Sequence, residues 1–520
     1  MKHPWTRTCL TVGLALSIFA GSAAAETAPG YRSYTDHSLI KQDGTYWTWG
    51  SLQPVPVQIH GLGNVAAVYN FGRDQDRNGS MYYVNSLIQL ADGTVQYADS
   101  LKAGQQPQLT ALPHLDNLKQ VLIRPDLLLV VDGKNRLHLI PNREYSITLS
   151  ALQSSTPLPG IEDVDQVSIY EEWNGTRYDR MLVVLKTDGS VWRGLTTTQG
   201  AELARIPGIE DATKLEGYYA LTRNGELHTW NIRTREASVS AGAPAVRVPI
   251  NKSLRSFDTF YFGNLAVDTE GALWFWGRTV TGVSDGTTLH EQPTPIRFSQ
   301  LSNVREAYIA ERTLFALTEQ GELYHTSLYR ESMPANAKFE LLSDNVRSVE
   351  AGGRHIIFEK SDGSLWGWGV NKWAELGVGD FEFMYNRPVQ MHKPITVSLN
   401  NEPVPLSSGA ILRGDQAFIP LRSVFEQLGA SLVWNHDTKE VAISRDADAA
   451  GDAVQIQIRY NSGEVIMGDQ PVTLPAQPFI IQGVSYLPLR FVSEALGAQV
   501  HWSAADRSVS IIHPPVSGSR

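Results

Sequence analysis

Residues 354 to 369 read RHIIFEKSDGSLWGWG: an apolar run, an Asp-Gly pair, then Trp366 and Trp368, each followed by glycine. The pattern describes a β-hairpin. An alternating strand leads into a tight turn that needs positive φ, and a second alternating strand leaves it. In that second strand Leu365 faces one way while Trp366 and Trp368 face the other, and Gly367 leaves room for a neighbouring sheet.

The same unit recurs along the chain. YTDHSLIKQDGTYWTWG, NSLIQLADGTVQY, LLLVVDGKNRLHLI, MLVVLKTDGSVWRG, YALTRNGELHTW, NLAVDTEGALWFWG and TLFALTEQGELYHT align with it on Gly44, Gly93, Gly133, Gly189, Gly225, Gly271, Gly321 and Gly363, spaced 36 to 56 residues apart. Between hairpins lie segments such as LPGIEDVDQVSIY and FSQLSNVREAYIA, which read as a polar or Pro-containing connection and one short strand. A hairpin with its connecting strands makes a four-stranded sheet of about 40 to 50 residues, the period of a propeller blade.

The copy AGGRHIIFEKSDGSLWGWGVNKWAELGVGD, residues 351 to 380, resembles the repeat of the regulator-of-chromosome-condensation family. Glu375-Leu376-Gly377 stands where that repeat carries its Gln-Leu-Gly loop. The other copies are more degenerate, and several lack the Trp-Gly end. The resemblance implies a β-propeller over roughly residues 31 to 391. The family usually has seven blades, whereas eight hairpins, a leading strand near Tyr31–Tyr34 and a final PVQM strand count more naturally to eight. Trp47, Trp49, Trp192, Trp274, Trp276, Trp366 and Trp368 recur at one place in the unit, so they are expected to pack between blades. His37 and His355 are expected to belong to the hairpins for the same reason.

After residue 391 the period changes. FIPLRSVFEQLGASLVWNHDTKEVAI, residues 418 to 443, aligns with YLPLRFVSEALGAQVHWSAADRSVSI, residues 486 to 511, and 11 of 26 positions are identical, among them Arg422 and Arg490, and Trp434 and Trp502. Each copy reads as strand, short helix and two strands, with Gly429 or Gly497 ending the helix. Such units bury too little alone, so the two are expected to pack together. The pattern PLR, five residues, LGA and then Trp resembles the copper amine oxidase N-terminal-like, or stalk, domain of exported bacterial proteins. Nothing resembles that oxidase's catalytic domain. The fold expected is therefore mainly β: a seven- or eight-bladed β-propeller (26–392), then a small duplicated α+β domain (393–514, copies 394–445 and 454–513) and a tail (515–520).

The first 25 residues read as a secretory signal peptide, with Lys2 and Arg7, an apolar run from Leu10 to Ala20, and small residues ending at Ala25. The only cysteine, Cys9, lies inside it, which closes disulfide, thiolate and Cys-zinc chemistry to the mature chain. Its removal takes the formal charge from −10 to −12, a balance that repels polyanions, and no Lys/Arg run supplies a nucleic-acid footprint. No later stretch is long and apolar enough to span a bilayer.

The histidines lie singly, and no metal, Walker, Rossmann or G-x-S-x-G pattern is present, so no cofactor and no catalytic residue are expected. Asp74, Asp76 and Asn78 begin a calcium-like loop, but Tyr82 and Asn85 stand where its later ligands belong. Trp173, Phe381, Phe383 and Tyr385 fall outside the recurring packing positions and are candidates for contacting a partner. The sequence thus predicts an exported, non-catalytic binding protein whose propeller meets an extracellular protein or cell-wall polymer. The alternatives are a secreted inhibitor of an extracellular hydrolase or an enzyme acting on polysaccharide.

Overall fold

A computed structural model describes residues 31–50, 53–71, 85–99, 106–124, 126–142, 147–173, 176–196, 201–230, 244–282, 286–414, 416–446, 453–474 and 476–513. The signal-peptide reading and the calcium-like Asp74, Asp76 and Asn78 lie outside them.

Eight sheets follow one another along residues 31–59, 65–116, 120–141, 164–205, 212–247, 254–297, 304–343 and 346–390. Each is an antiparallel meander with strands in sequence order, so the blade number is eight. Among the described residues seven blades have four strands and the third has three, its outer edge covered by the helix Leu149–Gln153 and by Pro157, which bridges to His138.

One rule fixes the turn positions. At Gly44, Gly189, Gly225, Gly271 and Gly321 the turn glycine has φ near +80° and its carbonyl accepts the first N–H of the next blade, for example Gly44 from Val65 (2.9 Å), Gly189 from Ala212 (3.0 Å) and Gly321 from Val346 (2.8 Å), while Gly93, at φ 88°, accepts from Asn117 (3.0 Å) just before it. At Gly44 a Cβ atom would also lie 2.8 Å from the Cα of Asn64, so backbone sign and space both demand glycine. Gly133, aligned with the others in the sequence, does not do this. Asn135 takes the left-handed position (φ 61°) and receives Val164 N–H at 2.9 Å, so the third hairpin turns two residues later than expected. Asparagine tolerates that conformation, which is why the substitution hides the register.

The ring closes between the last blade and the first. Tyr31, Tyr34, Leu39, Trp47 and Trp49 share one core with Ile357, Leu365, Leu376 and Met391. The Trp49 indole donates to the carbonyl of Glu375 (2.8 Å), and Gly379 N–H donates to that of Pro54 (2.8 Å). The most complete copy of the repeat therefore sits at the seam, where its Glu-Leu-Gly loop reaches across.

The C-terminal region forms three further sheets around one core drawn from both copies. The copies exchange strands. Glu440–Arg445 of the first pairs with Val454–Arg459, which opens the second, while Ser508–Ile512 of the second runs parallel to Thr396–Leu399, which opens the first. This unit docks on blade 1. Val55 is fully buried against Ile411, Phe418 and Tyr486, and a Cβ on Gly409 would lie 2.2 Å from the carbonyl of Pro56. Gln106 joins the two by donating to the carbonyls of Gln58 (3.0 Å) and Leu406 (3.3 Å). The outer strand of blade 1, Gln53–Ile59, is therefore almost wholly buried, whereas the outer strand of blade 6, Thr288–Arg297, is largely exposed.

Candidate binding face

The tryptophans of the repeat do not form a ligand platform. In blades 1, 4 and 8 the first Trp belongs to a relay: its indole N–H donates to a turn hydroxyl, which donates to the turn aspartate. Trp47, Thr45 and Asp43 are joined at 3.0 and 2.6 Å, Trp192, Ser190 and Asp188 at 2.8 and 2.6 Å, and Trp366, Ser364 and Asp362 at 2.8 and 2.5 Å. Lys41, Lys186 and Lys360 lie over the three rings. These hydrogen bonds hold the Asp43, Asp188 and Asp362 carboxyls below their ordinary range, outweighing partial burial at Asp43.

Blade 6 solves the same problem differently. Ala272 replaces the hydroxyl residue, Asp268 replaces the lysine, and the Trp274 indole donates directly to Asp268 (2.9 Å). Blade 3 repeats that solution with His138 and Asp132 (3.3 Å). The second Trp turns to the preceding blade: Trp276 donates to the Tyr219 hydroxyl (3.0 Å), and Trp368 packs edge-on against Phe315 (5.0 Å).

The meander divides the propeller into two unlike faces. Hairpin turns and blade-to-blade connections lie on one. The links between first and second strands, and between third and fourth, lie on the other, which we call the loop face. The exposed aromatic side chains among the described propeller residues are Tyr178 (60%), Tyr261 (77%), Tyr329 (48%) and Phe383 (60%), and all four belong to the loop face, one each from blades 4, 6, 7 and 8.

Tyr261 is the most rigidly presented. It caps a two-residue hairpin closed by Phe260 N–H to the Gly263 carbonyl (2.8 Å) and by the reciprocal bond (3.2 Å). Phe260 and Phe262 on either side pack downward into the blade cores. Arg177, Arg278, Arg312, Arg330 and Arg354 lie on or next to links of the same loop face. Arg354 of blade 8 is paired through two hydrogen bonds with Glu311 of blade 7 (2.6 and 3.1 Å). Apart from Lys338 and Lys372, the described propeller lysines lie within the inner strands or toward the turn face.

Of the four aromatics singled out in the sequence, Phe383 is on this face and exposed. Phe381 is half-buried beside it. Tyr385 is turned inward: its hydroxyl donates to Asp380 (2.6 Å), whose carboxylate also accepts from Asn371 (2.9 Å), and burial together with that carboxylate pushes the phenol pKa up. Tyr385 thus frames the seam loop and offers no free polar group. Trp173 ends its strand opposite Tyr178, and its side chain lies outside the described residues. Tyr178, Tyr261 and Tyr329 were not selected from the sequence, although an aromatic at a hairpin tip, as in TFYFG, is a readable sign.

In the C-terminal unit Arg422 and Arg490 are exposed (73% and 62%), each near a glutamate one helical turn away (Glu426 at 3.4 Å, Glu494 at 3.9 Å). Trp502 packs against the shared core, whereas Trp434 is 37% exposed, meets Tyr460 edge-on (5.7 Å) and donates its indole N–H to His436 (3.5 Å). Among the described residues no group of three or more His, Cys, Asp or Glu side chains is placed to hold a metal ion. No helix there is long and apolar enough to cross a membrane.

Residues 398–511 match the family model described as the copper amine oxidase N-terminal domain, and the match does not extend to the oxidase's catalytic domain. The chain is 25% identical over 197 residues to the ultraviolet-B receptor UVR8 of Arabidopsis thaliana, covering 34% of this chain and 44% of that protein. It is 30% identical over 122 residues to a protease inhibitor of Brevibacillus choshinensis, covering 23% of this chain and 34% of that protein. The chain therefore spans less than half the length of either relative. Among solved structures it is similar to yeast RCC1 (Prp20) in its crystal structure with Kap60, at 14% identity, with 74% of this chain and 91% of that one covered and a TM-score of 0.39.

Proposed function

We propose that this is an exported, non-catalytic binding protein whose loop face engages a partner protein, while the C-terminal unit holds it at the cell wall or surface. The observation that carries this reading is the composition of the loop face. Tyr178, Tyr261, Tyr329 and Phe383 stand exposed among arginines, the mixture enriched in protein interfaces, whereas lysine is depleted there. A rigid Tyr with two χ angles loses little entropy on binding, and the short hairpin under Tyr261 has already fixed its backbone. Export is supported by the reading of residues 1–25 and by the stalk-type domain.

The test is capture of partners by mature protein from culture supernatant and from cell-wall sacculi, run beside the Tyr261→Ala/Phe383→Ala double variant. A supernatant protein bound by wild type and lost in the variant supports the reading. Equal binding by both, or capture only by polysaccharide, overturns it.

A second reading, inhibition of an extracellular hydrolase, is favoured by the relative named as a protease inhibitor. Under it the same face forms a one-to-one complex with a secreted hydrolase and stops its turnover, which titration of hydrolase activity detects.

A further inference from the structure

We propose that the strand Ser431–Asn435 is a self-association edge, through which two copies of this chain pair by joining their five-stranded sheets across a two-fold axis at Val433.

Among the described residues the strand is the last of its sheet, hydrogen-bonded on one side only, to Glu440–Arg445, in an unbroken register from Ser431/Ser444 to Asn435/Glu440. Val433 is 66% exposed and Trp434 37%, with Ser431 and Asn435 exposed as well, while Leu432 packs toward the shared core. Free edges carry unpaired N–H and C=O groups, and proteins blunt them with prolines, charges, bulges or brevity. Three other edges of this molecule follow that rule. Thr288–Arg297 carries Glu291, Pro293 and Pro295; Met384–Gln390 carries Arg387 and Pro388; and the opposite edge of the same sheet, Gln470–Val472, is three residues long with Pro471 at its centre. SLVWN has no charge, no proline and no bulge.

The occupant follows from what the strand presents. Antiparallel pairing about Val433 sets Val433 beside Val433, Leu432 opposite Trp434 and Ser431 opposite Asn435, so no like charges meet and apolar groups find apolar groups. On the outer face the row Val433, Ala442, Gln457, Ile466, Pro471 continues into its own copy. Such an isologous contact closes as a dimer and does not propagate. The duplicated strand, Gln499–Ser503, carries His501 at the position of Val433, so the same pairing there would juxtapose two imidazoles, which is why the assignment goes to Ser431–Asn435.

A contact of one strand edge belongs to the small, transient class of interface, so the measurement runs at concentrations up to about 1 mM. Sedimentation of the mature chain is expected to show a monomer–dimer equilibrium. Val433→Lys and Val433→Glu, surface changes that leave the core untouched, are each expected to weaken it by roughly 100-fold through like charges at the axis, with unchanged melting temperature. Mixing the two variants is expected to restore a one-to-one dimer. A wild-type chain monomeric throughout, variants that still dimerise, a mixture that does not recombine, or an edge that captures an extended peptide while the chain stays monomeric would each overturn the proposal. The inference does not depend on what the loop face binds.

Discussion

If the relay of blades 1, 4 and 8 and the direct aspartate of blade 6 are two solutions to one problem, one can be exchanged for the other. Asp268 is fully buried. Its Oδ1 accepts the backbone N–H groups of Glu270 (3.0 Å) and Ala272 (2.9 Å), and its Oδ2 accepts the Trp274 indole (2.9 Å). Asp268→Ala strands these donors. Glu270 is at the surface and finds water, but Ala272 and Trp274 are buried. At about 1–3 kcal/mol for each buried donor left unpaired, the loss is roughly 3–5 kcal/mol, a large share of the ~5–15 kcal/mol by which a domain is stable. The triple change Asp268→Lys, Glu270→Asp, Ala272→Ser writes the blade 4 solution, KTDGS followed by Trp, into blade 6. Urea unfolding of wild type, Asp268→Ala, the triple variant and its three component single variants, followed by far-UV circular dichroism, is the assay. The triple variant is expected to recover at least about 2 kcal/mol relative to the summed single changes, a coupling within the range for groups in one network. A loss under about 1 kcal/mol for Asp268→Ala, or a triple variant no better than the sum of its parts, would refute the idea that the two anchors are equivalent.

Other outcomes follow from the same geometry. Tyr261→Ala is expected to weaken partner binding by roughly 30-fold, measured by calorimetry against the captured partner, with no change in melting temperature because the ring is 77% exposed. Gly189→Ala, at φ 84° with Asp211 Cα 2.9 Å from the new methyl, is expected to cost about 2–3 kcal/mol, and Gly217→Ala, at φ 57° with open space around it, only about 1 kcal/mol, both read from urea midpoints. Burial, with Glu216 and Glu306 repelling and Lys214 opposing, pushes the Asp258 carboxyl up to about 6 from 3.8. Between about pH 4 and 6 the folded protein keeps a proton that the unfolded chain has lost, so stability falls as pH rises through that window and is level above it. Asp258→Asn is expected to remove that slope from melting temperatures recorded between pH 4 and 7.

The propeller was legible because its defining positions are ones where physics leaves few choices. A turn that needs φ near +80° and no Cβ must be glycine at Gly44 or Gly189, and repetition makes even a weak signal visible. Legibility failed where a second residue type satisfies the same constraint. Asn135 adopts the left-handed conformation, so the eye settles on the nearby Gly133. The aspartate anchors hid for a related reason: the demand is for an acceptor for the first aromatic's N–H, and Asp268 or Asp132 supplies it from a position the repeat assigns to lysine. Strand exchange between the C-terminal copies was invisible because each copy's pattern of apolar residues is the same whichever partner its strands choose. The loop-face aromatics carry no period, and their exposure depends on where eight blades bring them together.

The docking of the C-terminal unit onto blade 1 has a geometrical corollary. A propeller hung on a slack tether would sample many directions and could meet a ligand from any side. Here Val55, Pro56 and Gln106 weld ring to pedestal, so whatever the pedestal rests on dictates the compass bearing of Tyr261 and its neighbours.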